Sequence, residues 1–337
     1  MTVIRRTRLR ALGKGGTSML VVGALAVALS ACGSSKSSST GSTATTSSTP
    51  TATAKTTTLV AGSGPGTGKP AVSVGAKNFT EENILGQLYA QALAAKGYRV
   101  SLKENVGSSE IIYKAFTSGQ IDMYPEYTGV FLSSVAQQTS PPTSATAAYD
   151  HAKAFAEQNG ATMLGFTPFF DTNVLATLPA YASSNKLSSI GDLKPLGKSL
   201  KLGGPPEFAT REQGLPGIKK EYGVEPTFLP IAIELSYKAL ESGQVNVQNV
   251  FSTDGQLLGN KFKLLSDPKH VFGFQNVAPL VKKSVVSAEG PAFSQTLNRV
   301  SSLLTIKAIQ QMNAAVSIDK QSASKVAHQF LAANGLA

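Results

Sequence analysis

From residue 72 onward the apolar positions switch repeatedly between the two-residue alternation of a strand and the three-to-four-residue spacing of a helix. Val72-Ser-Val-Gly75 reads as a short strand. Phe79-Thr-Glu-Glu82 then opens a helix that carries Ile84, Leu85, Leu88, Tyr89 and Leu93 on one face and stops at Gly97. Arg99-Val-Ser-Leu102 predicts the next strand, and Ser108 or Ser109 caps a second helix. The order recurs further on: a strand at Leu200-Lys-Leu-Gly-Gly204, a helix from Leu215 to Tyr222, a strand at Pro226-Thr-Phe-Leu229, a helix to Ser242 and a strand from Val245 to Val250. Strand, helix, strand, helix, strand predicts a mostly parallel sheet with flanking helices in each half, an α/β fold.

The two halves also share a phrase. Glu110-Ile-Ile-Tyr-Lys-Ala-Phe-Thr-Ser-Gly-Gln-Ile-Asp-Met123 returns 124 residues later as Glu234-Leu-Ser-Tyr-Lys-Ala-Leu-Glu-Ser-Gly-Gln-Val-Asn-Val247, with seven of fourteen positions identical. Each copy reads as the last turns of an amphipathic helix, a Ser-Gly stop and a short apolar strand. One such unit per half predicts two related lobes with a ligand cleft between them. The chain crosses between lobes over Asp171 to Leu178 and returns around Val271 to Val281. Lobe 1 therefore takes residues 71–172 plus 275–337, with the helices from Ala292 to Ala333 packed back on it, and lobe 2 takes residues 173–274.

The N-terminal segment differs in kind. Arg5, Arg6, Arg8, Arg10 and Lys14, with no acid among the first 31 residues, precede an apolar run from Met19 to Ala28 that is too short to span a bilayer. Leu29-Ser-Ala-Cys32 ends it, with small residues before a cysteine as in bacterial lipoprotein signals. Residues 1–31 are thus expected to be a cleaved signal, and Cys32 a lipid attachment point on the extracytoplasmic face of the cell membrane. Cys32 is the only cysteine, which excludes an intramolecular disulfide. Residues 32–70 are nearly all Ser, Thr, Gly, Pro and Ala, a composition that buries no core and predicts a disordered tether. Gly64-Pro-Gly-Thr-Gly-Lys69 within it fails as a phosphate loop, because Ser63 and Pro70 stand where Gly and Ser or Thr belong.

The formal charge of +11 falls to +6 without the five basic residues of the leader, and no basic run is interleaved with aromatics, which argues against nucleic acid as a partner. His151, His270 and His328 lie far apart with no Cys or carboxylate at metal spacing. There is no nucleophile elbow and no hydride-cofactor glycine fingerprint, and the spacing of Glu126 and Asp171 does not favour acid–base work. The reading is a binding protein with no cofactor, no metal and no catalytic residue.

Four segments carry a family resemblance: Gly75-Ala-Lys-Asn-Phe-Thr-Glu81, Ile121-Asp-Met-Tyr-Pro-Glu-Tyr-Thr-Gly129, Arg211-Glu-Gln-Gly-Leu-Pro-Gly217 and Ser252-Thr-Asp-Gly255. Together they resemble the substrate-binding proteins of osmoprotectant (glycine betaine, choline, carnitine) uptake ABC transporters, over nearly all of residues 72 to 335. The resemblance implies a two-lobed, type II periplasmic-binding-protein-like fold that closes on a small solute and delivers it to a membrane permease. It also implies a cage of tyrosines around a quaternary ammonium, and a Lys, an Arg and a hydroxyl around a carboxylate. Carried over by position, Lys77, beside Asn78, matches the first-loop lysine, Tyr127 the first cage tyrosine and Arg211 the arginine of the second lobe; Asp171 matches an acidic position whose backbone faces the ligand. The chain departs from the pattern at Val130 in place of a hydroxyl residue, and at Asn173, Phe251 and Gln275 in place of cage tyrosines. The amides of Asn173 and Gln275 are expected to offer hydrogen bonds to the ligand.

Tyr127 and Phe251 are separated by the same 124 residues as the repeat copies, so the repeat independently places one ring at the equivalent point of each lobe. A monomer serving one permease is the expected state. The alternatives are a shifted specificity, toward an amino acid or aromatic ligand, and a sensor or envelope interaction protein on the same fold. Replacing Cys32 with Ser tests the anchor: the protein should leave the membrane fraction or keep its leader, whereas normal processing with unchanged membrane association would refute acylation.

Overall fold

The computed structural model describes residues 54–139 and 142–337; the expected signal and Cys32 lie outside the described residues. The repeat shows first how local sequence becomes local structure. In each copy the helix ends at a glycine with positive φ, Gly119 at 83° and Gly243 at 71°, a conformation in which an L side chain is strained. The chain then enters strand β4 (Met123–Tyr127) in the first half and β9 (Val247–Phe251) in the second, ranges offset by the repeat's own spacing.

These strands belong to two sheets. The first joins β1 (Lys55–Thr58), β2 (Ala71–Gly75), β3 (Arg99–Glu104), β4, β5 (Ala161–Met163) and β11 (Val277–Lys282) in the order β1-β3-β2-β4-β11-β5. The second joins β6 (Asn173–Thr177), β7 (Lys201–Gly204), β8 (Thr227–Pro230), β9 and β10 (Lys263–Leu265) in the order β10-β6-β9-β7-β8. Read from β3 and from β8, the two orders correspond strand for strand. The kernels β3-β2-β4 and β8-β7-β9 are parallel, as the strand–helix alternation predicts. Their flanks are antiparallel, because the strand completing each sheet arrives from the other half: β6 pairs against β9 and β11 against β4.

The two crossings lie side by side. The Asp171 N–H donates to the Gln275 carbonyl at 3.0 Å, and Phe170 bridges Asn276 antiparallel. Each sheet has its own apolar core. In the first, the Thr80–Ala95 helix is buried between the sheet and the C-terminal helices Pro291–Leu303, Ile306–Ser317 and Ala323–Ala333, with Leu85, Leu88 and Phe293 inaccessible to water. In the second, Leu175, Ile190, Leu202 and Ile218 close the core. Burial on this scale contributes about 1.5–3 kcal/mol for each large side chain.

One expectation needs correction. The tether does not run to residue 70, because Lys55–Thr58 forms a strand antiparallel to β3, from Lys55 opposite Glu104 to Thr58 opposite Ser101. The next residues cap the Thr80–Ala95 helix: the Gly62 N–H donates to the Ala94 carbonyl at 2.8 Å and the Gly66 N–H to the Lys96 carbonyl at 2.9 Å. Composition judged this segment by side chains that bury little, whereas backbone hydrogen bonds to a free sheet edge and a helix C-terminus order it. Gly66 approaches so closely that a Cβ there would lie 2.4 Å from the Tyr98 nitrogen.

Open space surrounds Gly243, so Gly243→Ala isolates the conformational cost of positive φ. The variant should lose about 1 kcal/mol of stability in urea unfolding, and Gly243→Asn less, since Asn tolerates this region. Equal stability of both with the parent would contradict the need for glycine at the repeated stop.

Candidate functional site

The C-terminal ends of the two parallel kernels face one cavity, and the elements at its rim supply the side chains. The loop after β2 brings Lys77 and Asn78, the end of β4 and the turn after it bring Tyr127 and Val130, and the outgoing crossing brings Asp171 and Asn173. Arg211 enters from the loop before the Leu215–Tyr222 helix, Phe251 from the end of β9 and Gln275 from the returning crossing. All nine residues singled out in the sequence therefore line the same space.

A tenth residue matters as much. Phe79 stacks on Phe251 with ring centroids 6.3 Å apart and planes 9° from parallel, and lies 6.0 Å from Tyr127. Three rings thus form a continuous wall from one lobe to the other. The sequence held a signal for Phe79: it occupies the N-cap of the Thr80–Ala95 helix with extended φ and ψ and makes no side-chain cap, where Ser, Thr, Asp or Asn is preferred. Phe208 and Ile233 extend the apolar surface on the second lobe, and Ser108 and Ser109 add hydroxyls on the first. Ile233 and Ser109 stand at equivalent repeat positions, each just before its copy of the phrase.

Lys77 does not present a free ammonium to the cavity. Its side chain is 3% exposed, and its Nζ lies 2.5 Å from Glu126 Oε1 and 3.9 Å from Glu82 Oε1. The same Nζ sits 4.6 Å from the Tyr127 ring centroid, so one face of that ring already carries a cation. The Tyr127 hydroxyl donates to Glu81 at 2.8 Å, which fixes the ring from its far end. Glu126 also accepts from the Tyr124 hydroxyl and the Tyr127 N–H, each at 2.8 Å.

One ammonium cannot fully neutralise two carboxylates. Glu126 holds the short contact. Burial pushes the Glu82 carboxyl up to about 8, more than the Lys77 charge and its backbone N–H restore. Deeper in, Asp171, Glu81 and Asp254 form a second acidic group with no cation among them. Burial, with Glu81 and Asp254 nearby, raises Asp171 well above the usual range; burial raises Asp254 to about 6 although the Phe251 N–H and the Tyr237 hydroxyl bond to it. Asp171 takes a hydrogen bond from Thr253, yet its Oδ1 is buried without a partner.

The amides do not stand ready for a ligand as expected. Gln275 Oε1 accepts from the Val130 N–H at 2.8 Å, and its Nε2 donates to Gln213 Oε1 at 2.8 Å and to the Phe272 carbonyl at 3.2 Å. Asn173 donates to the Gln213 carbonyl at 3.2 Å and accepts from Asn249 at 3.0 Å. These bonds tie the crossings to the loop that carries Arg211, so the amides serve the frame of the cleft. Gln213 lies in the segment 211–217 quoted from the sequence but received no role there, because nothing local distinguishes it. Arg211 forks onto Glu110, its Nη2 lying 3.0 and 3.1 Å from the two carboxylate oxygens. Among the described residues no group of three or more His, Cys, Asp or Glu is arranged to hold a metal ion, and no helix is long and apolar enough to cross a membrane.

Two sheets of corresponding order, joined by two adjacent crossings, with rings from both at one cavity, define the class of two-lobed solute-binding proteins. Residues 70–333 match the family described as the substrate binding domain of ABC-type glycine betaine transport systems, and the chain belongs to that family. It is 34% identical over 270 residues to a glycine-betaine-binding protein of Pseudomonas aeruginosa, an alignment covering 77% of this chain and 86% of that one. It is 31% identical over 279 residues to the glycine betaine-binding protein YehZ of Escherichia coli, covering 78% and 90%. Among solved structures, a glycine betaine/carnitine/choline ABC transporter protein shares the fold with a TM-score of 0.65 at 23% identity, over 79% of this chain and 99% of that one. The protein is thus a substrate-binding component of an ABC importer, working outside the cytoplasm.

The raised carboxyls set the pH dependence of stability. Glu82 is protonated in the fold up to about pH 8 but ionises near its ordinary 4.5 when unfolded, so between these values folding takes up a proton. Its contribution is therefore most favourable below about pH 4.5 and is lost as pH rises to about 8, and Asp254, Asp171 and Glu81 act in the same sense. Urea midpoints from pH 4.5 to 8.5 should fall more steeply for the parent than for Glu82→Gln. Identical slopes would show that Glu82 is ionised in the fold throughout.

Proposed function

We propose that the cleft captures a small quaternary-ammonium solute of the osmoprotectant class and hands it unchanged to a membrane permease. The observation that carries this reading is the aromatic wall of Phe79, Tyr127 and Phe251, drawn from both lobes and backed by the buried carboxylate of Asp171. A methylated ammonium has no N–H to donate, so hydrogen-bonding groups cannot hold it. Ring faces can, because their quadrupole attracts a cation while their surface replaces the water around its methyl groups. Phe79 and Phe251, unlike Tyr127, carry no hydroxyl, and their contribution is area and ring charge alone.

With the amides bound within the frame and the cations paired within the protein, the rings and Asp171 remain among the groups lining the cavity. The two adjacent crossings act as the hinge, so that a ligand touching rings of both lobes favours the closed arrangement. Acylated Cys32 and the residues after it would hold the folded part near its permease as a lipid-anchored monomer. The relatives' names support the ligand class: two are glycine betaine-binding proteins, and a relative in Listeria monocytogenes is a carnitine transport binding protein.

Calorimetric titration with choline, glycine betaine and carnitine, alongside free amino acids, tests the reading. At least one quaternary ammonium should bind, and Phe79→Ala and Phe251→Ala should each weaken it by about 1–3 kcal/mol through lost ring contact. Binding of amino acids alone, or affinities indifferent to both substitutions, would overturn it.

A further inference from the structure

Both cationic residues lining the cavity are already neutralised by the protein itself. Lys77 is buried against Glu126 and Glu82. Arg211 is held by Glu110 through three contacts: Nη2 at 3.0 and 3.1 Å and Nε at 3.3 Å. Glu110 reaches across from the helix of the first lobe, and the Ser108 hydroxyl donates at 2.7 Å to its Oε2, which Arg211 Nη2 also contacts. The guanidinium fork, the group best shaped to receive a carboxylate, is thus occupied by one. The opposite holds for a carboxyl: Asp171 lines the cavity with no cationic partner among the described residues and with its Oδ1 unbonded.

We propose that Glu110 fills the carboxylate seat of Arg211, so that the cleft selects a cationic solute bearing no carboxylate, a choline-like quaternary ammonium rather than a betaine. The inference rests on the reading of the cleft as a quaternary-ammonium site and adds what lies at the other end of the ligand. A zwitterion would have to expel Glu110 from a charge-assisted bidentate pair before its own carboxylate found a partner, and would otherwise bury an unpaired anion beside Asp171. A carboxylate-free cation meets neither obstacle. Glu110 opens the first copy of the repeat, and its equivalent in the second copy, Glu234, meets no arginine among the described residues, so the pairing there belongs to one copy of the repeat.

Choline and glycine betaine share a trimethylammonium head and differ in a hydroxymethyl against a carboxylate, which makes their affinity ratio the readout. Titration of the full chain should show tighter binding of choline. Glu110→Gln, which keeps the side-chain shape, should shift the ratio at least tenfold toward glycine betaine, and Arg211→Gln added to it should abolish that shift. A pair that merely latches the lobes together would weaken both ligands by the same factor, and an unchanged ratio would overturn the proposal. Tighter glycine betaine binding by the parent would also overturn it while leaving the quaternary-ammonium reading intact. Failure of parent and variants to bind either compound would overturn this proposal, and failure with carnitine as well would refute that reading.

Discussion

Lys77 buries its ammonium where water does not reach, and three side chains from two elements of the first lobe close around it. The end of β4 supplies Glu126, the Thr80–Ala95 helix supplies Glu82, and the Tyr127 ring covers the charge at 4.6 Å. A buried charge is tolerated only when its partners are held in place, so the geometry of this side of the cleft is specified tightly. The same contact orients Tyr127, whose backbone N–H also bonds Glu126 and whose hydroxyl bonds Glu81. Tyr127 is therefore a ring preorganised by an ion pair internal to the first lobe.

Around that anchor the interior holds more acid than base. Glu82, Glu81, Asp171 and Asp254 are all displaced upward, chiefly by burial, and the last three have no cation among them. On the proposed function, a quaternary ammonium beside Asp171 lowers the cost of ionising that carboxyl, which couples binding to proton release. In that reading the aromatic wall and Asp171, which lines the cavity beside it, address the same ligand charge by two routes.

The pseudo-symmetry of the lobes explains why the wall spans both. Each parallel kernel ends at a strand whose last residue is a ring, Tyr127 at β4 and Phe251 at β9, and the crossings place these ends opposite one another. Phe79 then fills the gap between them from a helix N-cap, giving up a cap hydrogen bond for a position over the cleft. Charge breaks the symmetry. Lys77 anchors the first lobe from within, while Arg211 of the second reaches back to Glu110 of the first.

The sequence by itself determined the elements whose causes are local. Apolar periodicity marked the helices from Thr80 and Leu215 and the strands they join, and the repeated Ser-Gly marked two stops that need positive φ at Gly119 and Gly243. The offset between repeat copies was enough to pair Tyr127 with Phe251, because equivalent positions in related lobes face the same cleft. Who bonds to whom was decided only by tertiary structure. Lys77 meets Glu126 across 49 residues, Arg211 meets Glu110 across 101, and Gln275 meets Gln213 across 62. Nothing in a local window encodes those pairings, since a charge or amide has the same appearance whether it faces a ligand or another side chain. The strand at Lys55–Thr58 escaped notice for a related reason: its order comes from backbone groups meeting a free sheet edge that only the folded lobe provides.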